Sequence, residues 1–383
     1  MRALTTRLMA LLLAVVLSAC SSEAVRPPPA ELKPFKAVDK LVERWSRSVG
    51  PDTEPLRLRL EPAVGEGVVY AAGADGELSA IDLETGKRLW RVDLDVPLLA
   101  GVGIDGRNLY VATRDGELIA VALADQAIAW RAALPSEVVA TPVTDGSRVF
   151  VYAINGVIMA LDSRTGSTLW TWQVAEPSLT LRGTAPLVAE GGRVYAGLSS
   201  GRVLALDAQD GSRVWDALVA EPKGRTLLDR LVDVDGGLKV SRGLVTAVAY
   251  QGRVVQIEAA SGKVVWSDEA SGYVAPAVDQ DMLVIAEASG TIRAWDNRSG
   301  QPLWSQDELA WRDLTAPVFW QGRIVVGDFE GYLHVLDKAS GVLRARVRAD
   351  RSALQVEPRV VGDSLLVQSQ GGDLILYQLE SSD

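Results

Sequence analysis

The chain has 383 residues, 35 of them glycine, and a formal net charge of −10 at pH 7. This acidic balance makes it a poor candidate for binding nucleic acid or anionic lipid headgroups, which are recognised by basic patches. His334 is the only histidine, which excludes histidine-rich metal clusters and leaves a catalytic triad with one candidate base.

Residues 1–19 have the pattern of a cleavable signal peptide. Arg2 and Arg7 precede an apolar run that ends at Leu17 and is too short to cross a bilayer as a helix. The sequence LSAC at residues 17–20 resembles a bacterial lipobox, so Cys20 is predicted to be lipidated and to become the first residue of the mature chain. An ordinary signal peptide that happens to end at a cysteine is the alternative.

Residues 20–36 are predicted to form a lipid-bearing tether. Ser21 and Ser22 follow the cysteine in place of the aspartate typical of inner-membrane retention, which favours an outer-membrane anchor facing the periplasm. Three consecutive prolines, Pro27 to Pro29, favour an extended chain. The segment is therefore expected to space the folded body from the lipid.

A fifteen-residue phrase that begins with glycine recurs along the rest of the chain. The copy GELSAIDLETGKRLW starts at Gly76, and further copies start at Gly116, Gly156, Gly201, Gly252, Gly290, Gly331 and, in part, Gly372. Apolar alternation on both sides of an Asp-x-x-x-Gly turn predicts two strands joined by a hairpin. Most copies end in a tryptophan that is expected to wedge between neighbouring units: Trp90, Trp130, Trp170, Trp215, Trp266 and Trp304.

A second pair of apolar strands precedes each phrase, so the unit is a four-stranded sheet of about 40 residues. Eight such units predict an all-β fold, an eight-bladed β-propeller over residues 37–383. The last copy ends before its outer strand and tryptophan. The segment KLVERWSRS near the N-terminus carries Trp45 and is predicted to complete the eighth blade, which removes an open sheet edge.

Two internal connections clearly exceed the 26 residues that commonly separate a tryptophan from the next opening glycine, as does the N-terminal distance of 31 residues from Trp45 to Gly76. The connection after Trp170 has 31 residues and the connection after Trp215 has 37. Both join an outer strand to the next inner strand, so they are expected side by side on one face. They hold the candidate binding residues Leu179, Leu181, Arg182, Asp229, Arg230, Asp233 and Asp235, with Leu227, Leu228 and Leu231. Such loops indicate a protein-binding patch, or leucines that fold inward as a plug.

The phrase A-x-D-x-x-T-G-x-x-x-W resembles the tryptophan-docking repeat of quinoprotein-type propellers. Enzymes of that class typically use a vicinal cysteine pair and a calcium site, and Cys20 is the only cysteine here. No catalytic residue, metal site or cofactor is therefore predicted. His334 is expected to be structural or at the surface, and residues 233–237 only faintly resemble a calcium loop. A quinone- or metal-dependent enzyme, or a carbohydrate binder that uses Trp311 and Trp320, remains the alternative.

The lipobox, the proline-containing tether, the eight blades and the strings SLTLRG and DRLVDVD together resemble the BamB family, lipoprotein subunits of the outer-membrane β-barrel assembly machine. The resemblance implies that Leu179, Leu181, Arg182, Asp233 and Asp235 bind a periplasmic POTRA domain of the barrel subunit BamA. It implies a scaffold without enzymatic activity that assists the folding and insertion of outer-membrane proteins. Unfolded client proteins could also add a strand to a blade edge.

Overall fold

The computed structural model describes residues 26–53, 58–175, 185–221, 232–234 and 236–381. Within these ranges every regular element is a strand, and the strands form eight sheets arranged in a ring. The predicted eight-bladed β-propeller is therefore confirmed. The same ranges contain no helix with the length and hydropathy needed to cross a membrane.

The first four blades follow the chain from residue 63 to residue 218. Blade 1 contains β3 (Ala63–Gly65), β4 (Val68–Ala72), β5 (Glu77–Asp82) and β6 (Arg88–Asp93). Blade 2 contains β7 (Leu98–Ile104), β8 (Asn108–Thr113), β9 (Glu117–Ala122) and β10 (Ile128–Ala133), and a short strand β2 (Arg59–Leu60) pairs in parallel with β7. Blade 3 contains β11 (Val143–Thr144), β12 (Arg148–Tyr152), β13 (Val157–Asp162) and β14 (Thr168–Gln173). Blade 4 contains β15 (Val188–Glu190), β16 (Arg193–Leu198), β17 (Arg202–Asp207) and β18 (Arg213–Leu218).

The other four blades return the chain to its N-terminal strand. Blade 5 contains β19 (Leu238–Ser241), β20 (Leu244–Val248), β21 (Gly252–Glu258) and β22 (Val264–Ala270). Blade 6 contains β23 (Ala277–Val278), β24 (Met282–Ala286), β25 (Ile292–Asp296) and β26 (Pro302–Gln306). Blade 7 contains β27 (Val318–Trp320), β28 (Arg323–Gly327), β29 (Tyr332–Asp337) and β30 (Leu343–Arg348). Blade 8 contains β31 (Arg359–Val361), β32 (Ser364–Gln368), β33 (Asp373–Ser381) and β1 (Asp39–Ser48).

Burial falls from the middle strands of each blade to its outer strand. In blade 3, Ile158, Ala160 and Leu161 of β13 are fully buried because both faces of the sheet pack against neighbouring blades. The outer strand β14 is mostly exposed, and a bulge between β13 and β14 leaves Leu169 without an opposite residue. Because a bulge turns the following side chain, Trp170 points towards blade 4 while Leu169 faces solvent.

The docked tryptophan fills a gap that only glycine leaves open. The Trp170 indole donates a hydrogen bond to the carbonyl of Ala208, 3.1 Å away, and its ring covers Gly211 in the next blade. Gly211 has a positive φ of 72°, which a residue with a side chain adopts only at a cost. The same contact joins Trp45 to Gly86, Trp130 to Gly166, Trp215 to Gly262, Trp266 to Gly300 and Trp304 to Gly341.

The N-terminal strand closes the ring, as the sequence predicts. Strand β1 pairs antiparallel with β33 from the Asp39–Ser381 pair to the Ser48–Asp373 pair. Trp45 on β1 then docks on Gly86 of blade 1, which joins the last blade to the first.

Two departures from the repeat have structural explanations. Ala345 stands at the tryptophan position of blade 7. In most other blades this tryptophan packs against the hairpin between the two outer strands of the next blade. Blade 8 has no such hairpin, because its outer strands β33 and β1 come from opposite ends of the sequence. The Asp39 carboxylate occupies this junction and binds Arg323 and Arg344. In blade 5 the buried Gln256 stands where several other blades have alanine, for example Ala160 in blade 3. Its Oε1 accepts a hydrogen bond of 2.9 Å from the Trp266 indole.

The described part of the predicted tether is not a free spacer. Residues 26–36 lie against blades 6 and 7, and Leu32 packs on the apolar cluster that joins those two blades. A free spacer and a segment bound to the propeller surface can both be extended, and a proline-rich composition favours an extended chain in both cases. Composition alone therefore does not distinguish between them.

Candidate functional site

One face of the propeller carries every connection from the outer strand of a blade to the inner strand of the next blade. Because the strands within each blade alternate in direction, the turn between the two middle strands lies on this face as well. We call it the crossover face. The two long connections found in the sequence, between β14 and β15 and between β18 and β19, both belong to it.

Most of the predicted binding residues lie outside the described residues, namely Leu179, Leu181, Arg182, Asp229, Arg230 and Asp235. Leu227, Leu228, Leu231 and Cys20 lie outside them as well. The described ends of the two connections show where each one leaves the propeller. Val174 and Ala185 bracket the first connection, and Ala220 and Val232 bracket the second, all four buried.

The two long connections converge on blade 4. A methyl group placed on Gly197 of β16 would overlap the carbonyl oxygen of Val234 and would lie 3.2 Å from the Cβ of Ala185. A methyl group on Gly237 would lie 3.6 Å from the Cδ of Pro186. The absence of a side chain at Gly197 therefore lets the bases of both connections pack side by side.

Asp233 does not have the exposed position expected of a partner contact. Only 1% of its surface is accessible, and its carbonyl accepts a hydrogen bond of 2.9 Å from the amide of Tyr250. Val232 and Val234 on either side are buried in the cluster between blades 4 and 5. Asp233 therefore lies at the base of the second connection. Val232 and Val234 anchor this base because they provide apolar surface for the core. This part of the second connection is packed between blades 4 and 5.

The single histidine belongs to a buried charged network in blade 7. His334 is fully buried, its Nε2 lies 2.8 Å from Asp328 Oδ2, and Arg346 donates to its Nδ1 across 3.3 Å. Burial lowers the pKa of His334, so the ring is neutral at pH 7. Burial opposes the ionisation of Asp328, but hydrogen bonds from His334 and Arg312 hold the pKa of this carboxyl below its ordinary value. The sequence shows no periodic signal for this network, since its members come from separate loops and strands.

The two tryptophans considered for carbohydrate binding differ in their environments. Trp320 is buried, and its indole donates to the carbonyl of Asp363 across 3.2 Å, so it is part of the packing between blades 7 and 8. Trp311 lies in the connection between blades 6 and 7, where its ring faces Arg26.

The central channel is open to solvent and has a cavity volume of about 810 Å³. Prolines stand one or two residues before seven of the eight inner strands: Pro62, Pro97, Pro142, Pro186, Pro276, Pro317 and Pro358. Proline has no amide hydrogen, so it limits pairing of these inner edges with another strand. Lys239 of blade 5 and Glu357 beside blade 8 form an ion pair of 2.8 Å across the channel. Among the described residues, no three histidine, cysteine, aspartate or glutamate side chains are placed to hold a metal ion.

Known proteins of similar sequence and fold agree with the architecture described above. The family model described as outer membrane protein assembly factor BamB matches residues 37–91, 74–306 and 288–383. The chain belongs to the BamB family. BamB of Pseudomonas aeruginosa is 43% identical over 97% of this chain and 98% of its own length. BamB of Marinobacter adhaerens is 47% identical over 97% of this chain and 96% of its own length.

A crystal structure of BamB from Moraxella catarrhalis superposes with a TM-score of 0.81 at 27% sequence identity, and it covers 88% of this chain and all of the other. The BamB fold thus extends over the blades described above.

Proposed function

We propose that this BamB-family propeller is a lipid-anchored scaffold of the outer-membrane protein assembly complex. Cys20 would carry the lipid, and the folded body would lie in the periplasm. The crossover face would bind a POTRA domain of the barrel subunit BamA and thereby assist the folding and insertion of β-barrel proteins. His334 supports a role without catalysis, because it is fully buried and engaged with Asp328 and Arg346.

The observation that carries the docking proposal is the convergence of both long connections at Gly197. It would bring Leu179, Leu181 and Arg182 close to Asp229, Arg230 and Asp235 above blade 4. Apolar and arginine side chains at the centre of such a patch supply most of the energy of many protein interfaces. Asp233 would act from the base, where it is buried, by holding the second connection in place rather than by touching the partner.

The test replaces Leu179, Leu181 and Arg182 by alanine and measures binding to the purified barrel subunit. We expect at least about 30-fold weaker binding, since a single interface anchor can contribute about 2 kcal/mol. The matched control replaces Leu169 and Leu303 by alanine, because these leucines are exposed on outer strands by 47% and 49%. Unchanged binding by the loop variant would refute the interface. A loss of thermal stability without a loss of affinity would instead identify the leucines as a plug.

A second proposal concerns unfolded client proteins and rests on the outer strands. The residue before the docked tryptophan is apolar and exposed in several blades, for example Val265 on β22 at 52%. An extended client could pair with such an outer edge by β-augmentation. A photo-crosslinking amino acid at Val265 should capture unfolded outer-membrane proteins, whereas one at Gly106 in the turn between β7 and β8 should not. Equal capture at both positions would contradict edge pairing.

A further inference from the structure

The segment between the predicted lipid site and the first strand follows a fixed path over blade 7. Arg26 lies on the crossover face, and the amide of Ala30 donates to the carbonyl of Ala310 across 2.9 Å. The amide of Val38 donates to the carbonyl of Arg344, also across 2.9 Å, next to the start of β1. Residues 26–38 therefore cross the full thickness of the propeller along the outside of blade 7. We call them the strap.

A loop with unusual backbone geometry holds the first residue of the strap. Trp311 and Asp313 have positive φ values of 60° and 47° in the connection between blades 6 and 7. A bulky residue in this region is disfavoured, and such strain is often found where a loop performs a task. Here the loop presents the Trp311 ring 5.6 Å from the Arg26 guanidinium and the Asp313 carboxylate 2.6 Å from it. Tyr273 donates to the same carboxylate across 3.0 Å and helps to orient it.

The middle of the strap is bound by two arginines that the propeller holds rigidly. Arg312 is almost fully buried, is fixed by Asp328 at 2.7 Å, and donates to the carbonyl of Ala30 across 3.0 Å. Arg346 contacts His334, donates to the carbonyl of Lys33 across 3.1 Å, and stacks 5.1 Å from the Phe35 ring. The buried network of blade 7 thus ends in two donors that point at the strap backbone. Donors held in place before binding lose little entropy on making these contacts.

We propose that the strap fixes the point at which the chain leaves the propeller and so holds the crossover face towards the membrane. The inference rests on the lipid anchor at Cys20 that is part of the proposed function. Arg26 follows Cys20 by six residues, so the anchor reaches at most about 20 Å from the crossover face. With the strap released, the first fixed residue would be Asp39 and the reach would rise to about 65 Å. The strap therefore shortens the tether between the lipid and the folded body.

This geometry specifies how the scaffold meets its partner. The strap begins on the same face as the two long connections of blade 4, and blade 5 and blade 6 lie between them along the ring. A partner domain bound on that face is thereby kept at the membrane side of the propeller. The opposite face, which carries turns such as the one at Ala339, is directed towards the periplasm.

The strap itself is tested by hydrogen exchange on the full mature chain. In the unmodified protein the amide of Ala30 should exchange at least about tenfold more slowly than in an unstructured peptide. Arg26→Glu places two negative charges together at Asp313 and should remove this protection, while Arg44→Ala, which removes an exposed arginine of β1, should leave it intact. Free exchange of residues 26–37 in the unmodified protein would overturn the strap, whatever the state of the lipid.

The orientation is tested with the lipidated protein in vesicles that contain an acceptor-labelled phospholipid. Cys20 is the only cysteine, and lipidation uses its sulfur, so a fluorescent donor can be attached at Glu308→Cys on the crossover face or at Ala339→Cys on the opposite face. The donor at position 308 should transfer energy more efficiently, because a six-residue strand separates the two faces by about 20 Å. Arg26→Glu should reduce the difference.

The outcomes separate the strap from the anchor. Equal transfer from both positions in protein that floats with the vesicles would overturn the orientation. Protein that does not float with the vesicles would refute the lipid anchor and with it the membrane distance, while hydrogen exchange would still decide whether the strap exists.

Discussion

The indole ring of Trp45 lies directly against Gly86, where an added methyl group would fall 2.5 Å from the indole Cγ. The indole nitrogen also donates to the carbonyl of Leu83 across 2.9 Å. Trp45 is on the N-terminal strand and Gly86 is in the first complete blade. This contact therefore connects the two ends of the ring, and the same contact joins five other pairs of neighbouring blades.

Replacing Trp45 by alanine should destabilise the propeller by about 3–5 kcal/mol, because a buried ring is lost together with its hydrogen bond. Equilibrium urea unfolding followed by circular dichroism measures the change. Trp90→Ala is the matched control and should cost about 1–2 kcal/mol less, since Trp90 is only partly buried and lacks this docking hydrogen bond among the described residues. Equal costs would contradict a special role for the docked ring.

The substitution Gln126→Gly is predicted to let Trp90 dock on blade 2 as the other tryptophans dock on their neighbouring blades. Gln126 occupies the glycine position of blade 2 with a positive φ of 62°, and its side chain donates to the carbonyl of Leu123 across 3.2 Å. That carbonyl corresponds to the acceptor of the tryptophan in other blades. Glycine should relieve the backbone strain and free the acceptor, for a gain of about 1 kcal/mol. Gln126→Ala keeps the strained φ and should give no gain in the same unfolding experiment.

The junction of blades 7 and 8 should weaken in acid. Hydrogen bonds from Arg323, and then from Arg344, hold the pKa of the buried Asp39 carboxyl well below its ordinary value. Its contribution to stability is therefore present above about pH 4 and is lost as the pH falls further. Asp39→Asn should cost about 2–3 kcal/mol at pH 7, below the range for fully buried pairs because both arginines are partly exposed.

The control for Asp39 is an exposed ion pair on the same strand pair. Lys40 and Glu380 lie 3.2 Å apart with most of both side chains in solvent, so Glu380→Gln should cost less than about 1 kcal/mol. The difference between native protein and Asp39→Asn should shrink between pH 7 and pH 3. A constant difference over this range would show that the Asp39 charge does not stabilise the junction.

Gly197→Ala should disturb both long connections at once. The added methyl group would press on Val234 and Ala185, which should cost about 1–3 kcal/mol in stability and displace the bases of the proposed binding loops. We expect weaker binding to the barrel subunit. Gly106→Ala is the control, because no atom lies within 4 Å of its added methyl group and its stability should change by less than about 0.5 kcal/mol. Lower stability with unchanged affinity would contradict the role of these bases in positioning the loops.

Much of the architecture is predictable from the sequence because repeated local patterns have local causes. The Asp-x-x-x-Gly hairpins, the alternating strands and the fixed tryptophans depend on contacts within a blade or between adjacent blades. The closing role of β1 also followed from a count of strands, since a ring with a missing outer strand needs one from elsewhere.

The packing of the candidate binding face was harder to predict from the sequence. The spacing of the repeat identifies the two long connections, but it does not show that Val232 and Val234 draw Asp233 into the core between blades 4 and 5. Residues 26–36 were expected to be a spacer, and their contacts with Arg312 and Arg346 arise from positions about 280 to 310 residues away in the chain.

By itself the sequence determined the all-β class, the eight blades, the closing strand and the positions of the two unusual connections, because each leaves a periodic or repeated signal. Only the tertiary structure decided that both connections meet at Gly197, that Asp233 is buried, and that the N-terminal segment binds to blade 7. These features depend on contacts between residues far apart in the chain, and such contacts have no period from which a single sequence could reveal them.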